Sequence, residues 1–164
     1  MKRTWQSIVY ASCLAVLLGG CASGLKGPAF QPIPDAAADK AVVYLYWPDE
    51  GLRTAFNIEA NEESITTMKN GGYFPYVVEP SELDLSAKVK FKMFASGFLE
   101  AVTAPHTRLS LTVQDGEVYY VRCTGLPPAL LSLSLTNGQR LGMQVVSNEV
   151  GSRGIQACKL LAAK

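Results

Sequence analysis

One histidine, His106, is all that the 164 residues contain. Hydrolytic triads and catalytic zinc sites draw on histidine together with further ligands or partners, and His106 stands beside Pro105 in a polar loop with none nearby in sequence. It reads as a solvated loop residue. No Cys-x-x-Cys pair, Gly-x-Ser-x-Gly elbow or glycine-rich loop opening a helix occurs, which removes the dithiol, α/β-hydrolase and phosphate-cradling chemistries. No metal and no cofactor is called for. Neither sign of charge is in excess, with 15 basic and 14 acidic residues, so no electrostatic case for nucleic acid exists. Glu59, Glu62 and Glu63 cluster at a turn without the facing carboxylate, about 5 to 9.5 Å away, that glycosidic chemistry needs. They read as solvated surface.

A bilayer-spanning run is also missing. The longest apolar stretch, Ile8 to Leu18, is about a dozen residues against the roughly 20 that a spanning helix requires. Lys2 and Arg3 precede it and Gly19-Gly20 follow, which is the export pattern of a signal peptide over residues 1–20. The stretch Leu18-Gly19-Gly20-Cys21 resembles the bacterial lipobox, in which a leucine and two small residues precede a cysteine that is acylated and becomes the new N-terminus. By that resemblance Cys21 is the lipidation site and the membrane is a partner through this N-terminal anchor. Ala22 and Ser23, where inner-membrane retention calls for an aspartate, imply by the same resemblance the outer membrane, facing the periplasm. Without residues 1–20 the remaining 144 residues make one domain and carry 13 basic against 14 acidic groups. Residues 21–38, rich in Ala, Gly and Pro, predict a flexible tether reaching some tens of ångströms at about 3 Å per residue. The domain itself occupies residues 39–164.

Cys13 leaves with the signal peptide and Cys21 takes lipid, so Cys123 and Cys158 remain as thiols in an oxidising compartment. A disulfide between them is expected, closing a loop of about 35 residues worth about 3 kcal/mol. The alternative is two buried free cysteines.

Ala41 to Trp47 is dense in β-branched and aromatic residues and predicts a central first strand, stopped by Pro48-Asp49-Glu50-Gly51. Phe56 to Glu59 and Ser64 to Met68 predict a strand pair. Asn70-Gly71-Gly72 then predicts a hairpin into Tyr73–Val78, with Pro75 calling for a strand that lies at an edge or begins irregularly. Residues 87–94 alternate strictly, Val89, Phe91 and Met93 on one face and Lys88, Lys90 and Lys92 on the other. Leu109 to Val113 and Val118 to Cys123 predict a second hairpin, and Leu130 to Thr136 with Leu141 to Val146 a third across Asn137-Gly138. Asn148 caps a short helix limited by Gly151 and Gly154, and Ile155 to Leu161 forms a last amphipathic segment. Eight or nine short, mostly antiparallel strands with turns every 8 to 12 residues predict an all-β sandwich of the immunoglobulin or prealbumin kind with a short C-terminal helix.

Lys40-Ala41-Val42-Val43-Tyr44-Leu45-Tyr46-Trp47-Pro48, Lys69-Asn70-Gly71-Gly72-Tyr73-Phe74 and Gly116-Glu117-Val118-Tyr119-Tyr120-Val121-Arg122 together resemble a family of bacterial lipoproteins carrying the domain of unknown function numbered 2846. The resemblance covers residues 38–146 and implies location and fold; the family brings no known reaction. The binding candidates come from the residues. Lys88, Lys90 and Lys92 make a basic stripe with steps of about 7 Å, suited to an anionic glycan or an acidic envelope protein, or else lysines that keep an edge strand from pairing. Tyr73, Tyr119 and Tyr120 sit in adjacent aromatic pairs, so one member of each pair faces away from the core, either to stack on a ligand or to pack across strands. The expectation is a non-enzymatic envelope module binding a protein or glycan; the alternatives are an enzyme acting on the cell wall or an inhibitor of one, and a structural coat component.

Overall fold

The computed structural model describes residues 24–33, 39–51, 55–89, 106–125 and 142–164. Among them nine strands form two sheets. The first sheet has the order β8-β7-β1-β4-β9, with β1 at Ala41–Tyr46, β4 at Gly72–Val78, β7 at Val118–Thr124, β8 at Gly142–Val146 and β9 at Lys159–Leu160. The second has the order β3-β2-β5-β6, with β2 at Ala55–Ala60, β3 at Glu63–Lys69, β5 at Ser81–Val89 and β6 at His106–Val113. Pairing is antiparallel except for β1 with β7 and β4 with β9. This is the all-β sandwich that the alternating pattern predicts.

The first strand is central, and both its faces are buried. Ala41, Val43, Leu45 and Trp47 point between the sheets, where they meet Phe56, Ile58, Met68, Leu83, Leu85 and Val121. Val42, Tyr44 and Tyr46 point outward into a second apolar layer with Tyr73, Tyr120, Ile155 and Cys158. A strand covered on both faces carries an unbroken apolar run, which is what Ala-Val-Val-Tyr-Leu-Tyr supplies. Each large side chain so buried contributes about 1.5 to 3 kcal/mol.

Two elements cover the outer layer. One is helix α1, Asn148–Gly154, capped by Ser147, whose hydroxyl accepts from Val150 N at 3.4 Å, and not by Asn148. Gly154 is the last residue of this helix, as expected, whereas Gly151 lies inside it; a Cβ at Gly151 would meet the Tyr120 side chain at 2.2 Å, so the small residue admits the close approach. The other is the segment that its composition predicts as a tether. Phe30 packs edge-on against Tyr44 and Tyr73, Ile33 N donates to Tyr44 Oη at 2.8 Å, and Leu160 N donates to Pro28 O at 2.9 Å. Ala29 forms a bridge with Lys159, and Leu25 packs on the core between the sheets. Proline-rich composition excludes helix from this stretch, but it does not prevent extended docking onto an apolar surface.

Two predicted hairpins are corners between sheets. Asn70-Gly71 links β3 of one sheet to β4 of the other, and Gln114 to Glu117 links β6 to β7 in the same way. At the first corner Gly71, with φ of 74°, lets Gly71 N reach Trp47 O and Trp47 N reach Gly72 O, both at 2.9 Å. At the second, Gly116 N donates to Lys40 O and Val42 N to Glu117 O, which directs β7 alongside β1. The tight hairpin falls at Asn61 and Glu62, both with positive φ, joining β2 to β3. Strand β5 begins at Ser81, ahead of the lysine alternation, and it lies between β2 and β6. Lys88, the one lysine within it, therefore does not guard a sheet edge. Strand β4 is not the sheet edge expected from Pro75, since it lies between β1 and β9, but β9 flanks only Gly72 and Tyr73, so Pro75, opposite Tyr44, lies beyond that ladder. Residues 130–136 lie outside the described residues; β8 pairs with β7. Residues 155–161, predicted as one amphipathic segment, make a turn and then β9.

Candidate functional site

The predicted binding tyrosines divide between the two apolar layers. Tyr73 and Tyr120 are buried in the outer layer, where Tyr120 stacks on Tyr44 with ring centroids 5.4 Å apart beneath α1. Burial also raises the pKa of Tyr120 above the usual phenol value. Tyr119 turns to the core between the sheets, and its hydroxyl accepts from Gln114 N at 3.1 Å. Tyr73 and Tyr120 present no stacking face, because the helix and residues 28–33 cover the outer layer, and Tyr119 is half-buried on the other face of the sheet.

Lys88 is exposed on β5 and pairs with Glu59 of β2 at 2.6 Å. Ser86 hydroxyl also donates to Glu59, and the Lys88 hydrogen bond holds this carboxyl below its ordinary range. Lys90 and Lys92, like Cys21, lie outside the described residues. His106 opens β6 opposite Lys88. Among the described residues no group of three His, Cys, Asp or Glu converges as a metal site.

Cys123 and Cys158 are both buried and free. Cys123 faces the core between the sheets whereas Cys158 faces the outer layer, so the first sheet separates the two sulfurs and no disulfide joins them. The Cys158 thiol donates to Trp47 O at 3.7 Å. Burial pushes Cys123 up to about 12 and Cys158 up to about 11, where neither is a nucleophile at neutral pH.

A polar constellation lies where β1 ends. Its loop Trp47 to Gly51 is fastened to the Asn70 corner: Glu50 N donates to Asn70 Oδ1 at 2.9 Å and Gly51 N to Asp49 Oδ1 at 3.0 Å. That fixes the Glu50 carboxylate, which accepts from Trp47 Nε1 and from Arg122 Nη2, each at 3.2 Å. Arg122 projects outward from β7 next to Tyr46. Its Nε is buried without a hydrogen-bond partner among the described residues. Beside it a cleft of about 510 Å³ is lined by Arg122, Thr124, Gly142, Met143 and Gln144. Register sets this wall: Arg122 lies opposite Gln144 and Thr124 opposite Gly142. A Cβ at Gly142 would meet the Thr124 hydroxyl at 2.3 Å, so glycine leaves that hydroxyl its place. The cleft offers a guanidinium N–H, a hydroxyl and an amide, groups that recognise carbonyl and hydroxyl oxygens by hydrogen bonding. The sequence signal for it is faint, a charged residue out of phase with apolar neighbours in Val-Tyr-Tyr-Val-Arg-Cys.

Comparison with protein-family models, curated proteins and solved structures finds no match for this chain.

Proposed function

We propose that this chain is an envelope lipoprotein, acylated at Cys21, held at the outer membrane facing the periplasm, whose domain is a non-catalytic binding module for an envelope protein or glycan. The observation that carries the reading is Leu18-Gly19-Gly20-Cys21 directly after a short apolar run with a basic start. The resemblance to lipoproteins carrying the domain numbered 2846 supports it from a second side. So does the Arg122 cleft, whose donors suit recognition of an oxygen-rich ligand such as a glycan or a peptide backbone.

Growth with radiolabelled palmitate tests the anchor. Label is expected in the chain and is expected to vanish in Cys21→Ala; an unlabelled wild-type chain refutes it. Cross-linking in intact cells, with Arg122→Ala beside the wild type, tests the module. A captured envelope component that the variant loses supports binding at the cleft, and a wild-type chain that captures nothing counts against a binding role.

A further inference from the structure

Chain length between the acylated residue and the docked segment sets how the domain meets the membrane. This inference rests on acylation at Cys21. A tether running freely from Cys21 to Lys40 spans about 60 Å when extended, whereas the four residues from Cys21 to Leu25 span at most about 14 Å. Leu25 is already packed on the core between the sheets. Gly27 lies on the backbone of Leu160 so closely that a Cβ there would stand 2.0 Å from Leu160 O. Phe30 and Ile33 then hold the far end of the segment through Tyr44 and Tyr73.

The edge reached by Leu25 is itself stapled. Lys159 N donates to Gly71 O and Leu161 N to Tyr73 O, which ties β9 to the first sheet. Leu161 enters the core, and beyond it Thr66 hydroxyl donates to Ala162 O while Lys164 N donates to Ile65 O on β3 of the second sheet. Residues 159–164 thus bridge both sheets along one side of the sandwich. A pull on the chain at Gly24 is borne by both sheets together.

We propose that the domain stands edge-on to the bilayer, with the side formed by residues 24–29, β9 and β3 against the lipid headgroups and the β8 edge turned away from them. In the order β8-β7-β1-β4-β9 the two edges are four strand spacings apart, about 19 Å. The anchor therefore lies at one edge and the Arg122 cleft at the other. Exposed Lys26 and Lys164 on the anchored side put positive charge toward the headgroup phosphates, the Lys164 ammonium while also donating to Asn57 Oδ1 and Ser64 Oγ; Glu62 and Glu63, at the β2–β3 turn, oppose them.

The test uses the full acylated chain in vesicles containing a nitroxide-headgroup lipid, with a fluorophore on Glu63→Cys or on Gln144→Cys. Cys123 and Cys158 are buried, so the introduced thiol takes the label. The probe at position 63 is expected to be quenched several-fold more than the probe at position 144. A ten-residue Gly-Ser insertion after Ala22, and separately Gly27→Val, are expected to bring the two values together. Equal quenching in the parent chain, or stronger quenching at 144, overturns the orientation. Flotation with the vesicles separates the two ideas: a parent chain that fails to float, or a Cys21→Ala chain that floats equally well, removes the anchor and the orientation with it. A chain that floats by Cys21 and quenches both probes alike removes the orientation alone.

Discussion

Close approach at a glycine decides the sign of one substitution. Gly151 lies inside α1, where replacement by alanine ordinarily stabilises a helix by about 1 kcal/mol. Here the added methyl group meets the Tyr120 side chain at 2.2 Å, and Tyr120 is held from below by Tyr44. Gly151→Ala is expected to destabilise the fold by about 1 to 3 kcal/mol in urea denaturation. The two thiols give a pH dependence of definite sign. Their folded pKa values stand near 12 and near 11 against 9.0 for a free thiol, so above pH 9 the unfolded chain loses protons that the folded chain keeps. Stability is thus full below pH 9 and falls as the pH rises toward 11, with a slope approaching about 1.4 kcal/mol per pH unit per thiol. Denaturation midpoints measured from pH 8 to 11 should show this fall, and Cys123→Ala should flatten it. In the native state at pH 7.5 a thiol reagent is expected to leave Cys123 and Cys158 untouched.

At the scale of elements, the docked segment hangs partly on one hydroxyl. Tyr44→Phe removes the acceptor for Ile33 N and leaves a donor facing apolar surface, which should cost about 0.5 to 1.5 kcal/mol. Limited proteolysis is the sensitive measurement, with faster cleavage expected within residues 24–33. The elements also separate what the sequence discloses from what it hides. Apolar continuity marks β1 as central, alternation marks the faces of β2, and the residues from Asn148 to Gly154 carry a legible helix although its cap is Ser147. Sheet membership is not local information. Asn70-Gly71 has the residues of a hairpin turn, yet β1 offers β4 a ladder in the other sheet, and that pairing turns the hairpin into a corner. For the same reason Tyr73 and Tyr120, half-exposed by alternation, become interior once α1 and residues 28–33 fold over them. The cleft escapes notice because Arg122, Thr124, Gly142 and Gln144 meet only through the register of β7 with β8. The separation of Cys123 from Cys158 by a sheet is equally beyond any reading of their spacing.

For the whole molecule, burial of β1 between two apolar layers makes it the innermost ladder of both. Amide hydrogen exchange should be slowest from Val42 to Leu45 and should report global unfolding there, while β8 and residues 24–33 exchange by local opening. The parallel ladder of β1 has a further consequence, for the course of folding. Val42 to Tyr46 align with Val118 to Arg122, so the first strand made must wait for nearly the last before its second flank is satisfied. Until then one of the most apolar stretches of the chain offers a bare row of backbone donors and acceptors. Slow, topology-limited collapse and a period of vulnerability to self-association follow from that wait, and a holding chaperone would find its grip on Ala41 to Trp47.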